Sequence, residues 1–396
     1  MDKAIKTRIE EINSGKVPSG YKKTKIGIFP VDWKISRLKE YLTESRIDGS
    51  NGAYARKITV KLWNKGVFEK REIHQGSENT LYYKRKSGQL VYSKLDFLNC
   101  AFGIIPKDLD GFESTLDLPA FDIKNIDSYY LLAYVTRPEF YFHYGTMVAD
   151  GGRKARRVNP NEMLSFLIAL PPIEEQEKIA EILKTQDRVI ELKERLLKEK
   201  QREKKFLMQQ LLTGKIRLKG FTDEWRKNEL GSLLDYIQPA KYIIKNDLYQ
   251  NNGIPVITAG KSFILGFTNE KEDVFSAVPV IVFDDFTTGC QFVDFPFKCK
   301  SSAIKILTNH KNVNLLFIYE KMKKINYKVA GHERHWISKY SLLPIYIPSY
   351  EEQNAIAEII TTKDMEIALI KQQIESEKQK KKALMQLLLS GIVRVQ

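Results

Sequence analysis

Pro171-Pro172-Ile173-Glu174-Glu175-Gln176 opens a run that continues as Ile179-Ala180-Glu181-Ile182. The run returns as Pro348-Ser349-Tyr350-Glu351-Glu352-Gln353, followed by Ile356-Ala357-Glu358-Ile359. Further on, Lys204-Lys205-Phe206-Leu207-Met208-Gln209 is echoed by Lys381-Lys382-Ala383-Leu384-Met385-Gln386, and Leu211-Leu212-Thr213-Gly214 by Leu388-Leu389-Ser390-Gly391. The step from Gln176 to Gln353 is the same as that from Gly214 to Gly391, so the repeat runs without a gap. Solenoid repeats run about 20–50 residues. A period several times longer implies a duplicated domain.

Each copy predicts a long helix. Neither Pro nor Gly occurs from Glu174 to Leu212 or from Glu351 to Ser390. Acidic residues stand in the first turn, where they complement the helix dipole, and Gly214 and Gly391 stand at the end, where a left-handed residue is needed. About 39 residues at ~1.5 Å each give a rod of roughly 58 Å. Ile179, Leu183, Ile190, Leu197, Leu207 and Leu211 recur at helical spacing, as do Ile356, Ile360, Ile367, Ile370, Ile374, Leu384 and Leu388. Such narrow stripes in a charged background read as coiled-coil seams rather than buried core helices. The charges of Lys198–Lys205 and Glu375–Lys382 read mostly as solvated faces. Two equal rods, each following a globular half, pack most simply antiparallel.

The globular halves share their entrances: Gly20-Tyr21 through Trp33 to Leu38 and Leu42, and Gly220-Phe221 through Trp225 to Leu230 and Leu234. Beyond these they diverge. Strand-like runs (Gln89–Tyr92; Val278–Phe283) alternate with helical patterns (Tyr129–Val135; Val313–Met322), which predicts α+β domains. Ser14-Gly15-Lys16-Val17 also resembles Thr213-Gly214-Lys215-Ile216, so the N-terminal piece reads as the continuation of the last rod. The expected segments are 1–19 (completing the circular repeat), 20–165, 166–219, 220–342 and 343–396, with a pseudo-two-fold repeat. Like rods carrying unlike heads imply a shared scaffold with two different surfaces.

Composition narrows the function. The 396-residue chain carries 64 basic and 49 acidic residues, a formal charge of +15, which favours a polyanionic partner. No stretch approaches the ~18 apolar residues of a membrane span, and the first residues lack the apolar core of a signal peptide. Cys100, Cys290 and Cys299 lack paired metal-ligand spacing and read as reduced thiols. A cytoplasmic location is expected, without membrane or metal.

The duplicated proline–Glu-Glu-Gln helix start, with a Trp shortly before Leu-x-x-x-Leu at each domain entrance, resembles the specificity subunits of type I restriction–modification enzymes. The resemblance spans essentially the whole chain; Pro348-Ser349-Tyr350 departs from Pro171-Pro172-Ile173 at one turn only. It implies two target-recognition domains and two conserved helical regions, the helices packed as an antiparallel coiled coil. It further implies a non-catalytic subunit that reads a bipartite double-stranded DNA target, one half-site per domain, with the coiled coil setting the spacer. Two modification (methyltransferase) subunits would dock on the helices, bringing S-adenosylmethionine for adenine methylation. Separate restriction or motor subunits would use ATP and Mg2+ for cleavage. This chain itself would hold no cofactor.

The residues offer DNA contacts of their own. In Gly151-Gly152-Arg153-Lys154-Ala155-Arg156-Arg157 the glycines allow close approach, the cations neutralise phosphates, and arginine can grip guanine. Gly331-His332-Glu333-Arg334-His335-Trp336 lies the same way before the second rod, which makes His332, Arg334 and His335 candidates. Lys84, Arg85 and Lys86 after Tyr82-Tyr83, and Lys261, are weaker ones. His332 and His335 lack a third ligand for a metal. Glu174, Glu175 and Gln176, with Glu351, Glu352 and Gln353, are candidates for docking a modification subunit, although capping explains the glutamates equally well. No phosphate loop of the GxxxxGK[ST] kind and no methyltransferase Asp/Asn-Pro-Pro-Tyr/Phe motif is present. The competing expectation is a coiled-coil scaffold joining two protein-binding heads.

Overall fold

The computed structural model describes residues 3–71, 76–148, 157–246, 248–258, 262–327 and 334–395. Its α-helices are α1 (Lys3–Asn13), α2 (Ser128–Val135), α3 (Pro138–Val148), α4 (Pro160–Ser165), α5 (Ile173–Leu211), α6 (Leu315–Met322) and α7 (Tyr350–Leu388). The two long ones have 39 residues each, and both their starts and their ends keep the offset of the sequence repeat. Each ends as expected, with Gly214 and Gly391 at φ 70°. Both glycines also sit against a tryptophan. A Cβ would lie 3.3 Å from Trp225 in one case, and in the other 2.6 Å from Pro30 and 3.3 Å from Trp33.

The chain forms two compact units: Met1–Glu194 with Gln373–Gln396, and Arg195–Gln372. In the first unit, Lys34–Arg37 pairs antiparallel with Leu167–Leu170 directly before α5. A four-stranded antiparallel sheet follows, in the order Phe102–Ile104, Leu90–Tyr92, Ala120–Ile123, Leu42–Ser45. Leu90–Tyr92 is buried throughout, because a strand paired on both sides and covered on both faces carries an unbroken apolar run. The core joins Trp33, Tyr92, Phe97, Phe102, Phe121, Tyr130 and Phe166 to Ile179 and Leu183 of α5, and to Leu388 and Leu389 at the end of α7.

The second unit is built the same way. Arg226–Glu229 pairs with Pro344–Ile347 before α7. Its four-stranded sheet has the order Leu234–Ile237, Ile304–Asn309, Val280–Asp284, Cys290–Val293. By place in the chain this is the topology of the first sheet read from its other edge. All five residues of Val280–Asp284 are buried. The core joins Phe283, Phe317, Trp336 and Tyr340 to Leu211 and Leu212, and to Ile356 and Ile360 of α7.

One expectation about the rods needs correcting. The ends of the apolar stripes are core, not seam: Ile179 and Leu183 are fully buried inside the first head's cluster, and Ile356 and Ile360 lie in the second's. A head supplies apolar surface on one side of each rod end, and the stripe is used there first. The charges between are mostly exposed, as expected, and several of them are also paired. In the first unit Asp187 meets Lys381 at 2.5 Å and Glu194 meets Lys378 at 3.0 Å, while Gln186 donates to Glu377 at 2.9 Å. In the second unit Lys200 meets Glu366, and Glu203 meets Lys363, at 2.7 Å, and Lys204 meets Asp364 at 2.5 Å. From Asp187–Lys381 to Lys193–Gln373 in the first unit, and from Lys200–Glu366 to Glu203–Lys363 in the second, the α7 number falls as the α5 number rises, so the paired segments run antiparallel.

Candidate nucleic-acid interface and the seats of the two heads

Arg157 and Arg334 emerge exposed where the two basic segments rejoin the described chain. Among the described residues Arg157 pairs with a half-exposed aspartate, Asp117, at 3.7 Å. An ion pair this open is weak, and it leaves the guanidinium available. Arg153, Lys154, Arg156, Lys261 and His332 lie outside the described residues. Lys84, at the end of the Leu81–Lys84 strand, and Lys86 are exposed.

Two candidates are interior. Arg85 is 1% exposed. It donates to Ser114 Oγ at 2.7 Å, and to the carbonyls of Ser45 at 2.8 Å and Leu118 at 3.2 Å. Burial lowers its pKa to about 10. Its guanidinium ties strands together and does not face a ligand. Lys84 and Lys86 on either side of it are exposed, and the chain turns this one side chain inward just past the strand. His335 is fully buried. Its Nδ1 lies 3.3 Å from Tyr327 Oη, its backbone N–H donates to Asp285 O at 2.9 Å, and Nε2 has no partner among the described residues. It anchors the segment from the interior.

The docking candidates split in the same way. Glu174 and Glu351 are exposed, whereas Glu175, Gln176, Glu352 and Gln353 are between 1% and 5% exposed. Those four are turned inward: Glu175, Gln176 and Gln353 bond residues of the heads, and Glu352 bonds the tail beyond α5. Gln176 donates to Pro171 O at 2.9 Å and accepts from Asp127 N at 3.1 Å. Gln353 donates to Pro348 O at 3.0 Å and accepts from Asn314 N at 2.9 Å. Asp127 and Asn314 are the N-caps of α2 and α6, so each glutamine binds the cap of one head helix. The opposite ends of these helices serve the rods in return. Arg137 donates to Leu389 O at 3.1 Å, and Lys321 to Leu212 O at 2.9 Å. Cations thus meet the orphan carbonyls that end α7 and α5.

The buried glutamates complete each seat. Arg217 binds Glu352 through two bonds of 2.7 Å. Arg394 binds Glu175 through bonds of 2.7 and 2.8 Å, and Asp32 through bonds of 3.0 and 2.6 Å. These bonds raise the pKa of both arginines, and the Arg394 bond lowers that of Asp32. Trp33 donates to Glu175 at 3.3 Å. Trp225, its counterpart, has Lys321 Nζ 4.9 Å from its ring centre, and its Nε1–H is buried without a partner among the described residues. Sequence reading missed Arg217, Arg394, Arg137, Lys321, Asp127 and Asn314. The first two were within its reach, since Arg217 and Arg394 stand at the same offset as Gly214 and Gly391.

The N-terminal segment meets the end of the chain. Tyr21 Oη donates to Gly391 O at 2.7 Å, and Arg8 donates to Ile392 O. No helix among the described residues is long and apolar enough to cross a membrane. The three cysteines are unpaired, and burial raises the thiol pKa of Cys100 and Cys299 to about 12 and that of Cys290 to about 11.

Two heads of one topology, seated alike on a duplicated long helix, define a class of internally repeated scaffold proteins. The model of the type I restriction modification DNA specificity domain matches residues 118–201 and 222–378, and the chain belongs to that family, the specificity subunits of type I restriction–modification enzymes. It is similar to the Escherichia coli EcoR124I/EcoR124II specificity subunit, 46% identical over 138 residues that make up 33% of this chain and 34% of that one. It is 30% identical to the MjaVIII specificity subunit of Methanocaldococcus jannaschii over 219 residues, half of each chain. The chain thus spans a third to a half of the length of these curated relatives. Among solved structures, it is similar to a chain from work on complex assembly and conformational transition of the type I R-M system. That match has a TM-score of 0.55 and 16% identity, covering 92% of this chain and 99% of that one. The S subunit from M. genitalium matches with a TM-score of 0.55 and 12% identity, covering 90% and 96%. At these identities the structural likeness speaks for the fold.

Proposed function

We propose that this chain is the DNA-reading subunit of a type I restriction–modification complex, performing no chemistry of its own. Each head binds one half of a bipartite duplex target. α5 and α7, packed antiparallel as a coiled coil, keep the heads a set distance apart and present the surface on which two modification subunits dock. Those subunits bring S-adenosylmethionine, and any motor subunits bring ATP and Mg2+. The N-terminal segment 1–19 continues the last rod, which makes the repeat circular; the bonds of Arg8 and Tyr21 to residues 392 and 391 support this.

One observation carries the reading. Two heads with the same sheet order but divergent sequences are each seated in a similar way, and the two long helices are of equal length. That is what a reader of two different sequences at fixed separation requires, because half-sites on B-DNA must fall on matching groove faces every ~10–10.5 bp. Exposed Arg157 and Arg334, the charge of +15, and the exposed Lys84 and Lys86 suit a phosphate backbone. Methylome sequencing of the source cell with and without this gene tests the proposal. Loss of one bipartite adenine-methylation motif is expected. An unchanged methylome, with no salt-sensitive binding of the chain to duplex DNA, would favour a scaffold joining two protein-binding heads.

A further inference from the structure

The Glu–Arg pairs of the two seats do more than neutralise charge. Each joins the tail beyond one long helix to the first turn of the other, Arg217 to Glu352 and Arg394 to Glu175. Arginine and glutamate both recur at the offset of the helices themselves, so the pair was duplicated as a unit. Both carboxylates are buried, at 1% and 5% exposure. A buried carboxylate needs its partner, and a forked guanidinium fixes direction as well as distance. Sliding one helix along the other, or tilting a head on its seat, would break both bonds of a fork together.

The seats differ in strength. Arg394 is strapped twice, to Glu175 and Asp32, and Trp33 and the Val395 N–H also bond Glu175. Among the described residues Arg217 bonds one carboxylate only, and the indole N–H beside it is unsatisfied.

Building on the DNA-reading function above, we propose that Arg217 and Arg394 are positioning residues for target recognition. Their forks lock the tail of one long helix to the start of the other where each head is seated, and so set how strictly the half-site separation is enforced. The singly strapped seat at Arg217 is the more sensitive of the two.

The test uses the full chain assembled with its modification subunits. Methylation rates are measured on duplexes carrying the native bipartite target and on duplexes whose spacer is longer or shorter by one base pair. The ratio of native to shifted rates does not depend on how much of the preparation is folded, so a loss of yield does not blur it. Arg217→Lys keeps the charge and loses the fork. It is expected to lower that ratio by up to about a hundredfold, the loss that a ~1 Å misplacement can cause. Arg394→Lys, still backed by the Trp33 bond to Glu175, is expected to lower it less. A lower melting temperature with an unchanged ratio would overturn the proposal and leave the pairs merely structural. If the unaltered complex methylates no bipartite duplex at any spacing, the DNA-reading function itself falls, a result distinguishable from the first.

Discussion

Gln176 and Gln353 show how much one side chain can specify. Each uses its amide donor to close the turn that starts a long helix, and its carbonyl to hold the cap of a head helix. Replacing either by Ala leaves a buried N–H and a buried carbonyl unpaired, at about 1–3 kcal/mol per group. Gln353→Ala is therefore expected to lower the denaturant midpoint of the second unit without changing the slope, as measured by urea unfolding. Lys321 makes a prediction about pH. Burial lowers its pKa to about 8, from 10.5 for an exposed lysine. Between those values the unfolded chain binds more protons than the folded one, so stability rises with pH. The cost of burying the charge is present in full below pH 8 and is relieved as pH climbs toward 10.5. Against the parent chain, Lys321→Met should lose that rise, which thermal melts from pH 7 to 10 would show. A rise of equal slope in the variant would assign it to other groups.

At the scale of elements, the two long helices are governed by their ends. Rod ends are consumed by head cores, while the stretches between are held by an apolar stripe and half-exposed ion pairs. Such pairs are individually weak and are screened by salt. They also favour one alignment, because a slip of one turn would set most of these charges against uncharged residues such as Thr362, Ile359 and Ile360. Inserting or removing a few residues in matched positions of α5 and α7 should change the accepted spacer and leave the half-site bases unaltered. Methylation assays on targets of varied spacer would read this directly, and an unaltered preference would dismiss the ruler. The divergent heads behave differently, since their sheets share order but not sequence. The exposed Arg157 and Arg334 invite a pair of single substitutions to Ala. Each that removes a phosphate contact should reduce the slope of log binding against log salt by roughly one. The Arg85→Ala change should instead destabilise the first head, because it strips bonds from Ser114, Ser45 and Leu118.

For the whole molecule, duplication was the most legible property. The constant offset between the two copies located both long helices to within a residue or two, and their Gly stops were placed correctly. The strands at Leu90–Tyr92 and Val280–Asp284 and the helices α2 and α6 were also readable, since local apolar pattern largely decides them. What the Glu-Glu-Gln motif does was not. A helix start predicts acidic residues through its dipole whatever they touch, so the exposed Glu174 and Glu351 cannot be told from the buried Glu175 and Glu352 by type. The same holds for Arg85 beside Lys84, and for His335 beside Arg334. Burial depends on which segment returns to cover a residue, and those segments come from up to hundreds of positions away. The repeat, the rods and the family therefore belong to the sequence alone, being written in local periodicity and self-similarity. Which charges face solvent and which lock a head to its seat was decided by the tertiary structure, because a buried ion pair exists only once distant parts of the chain have met.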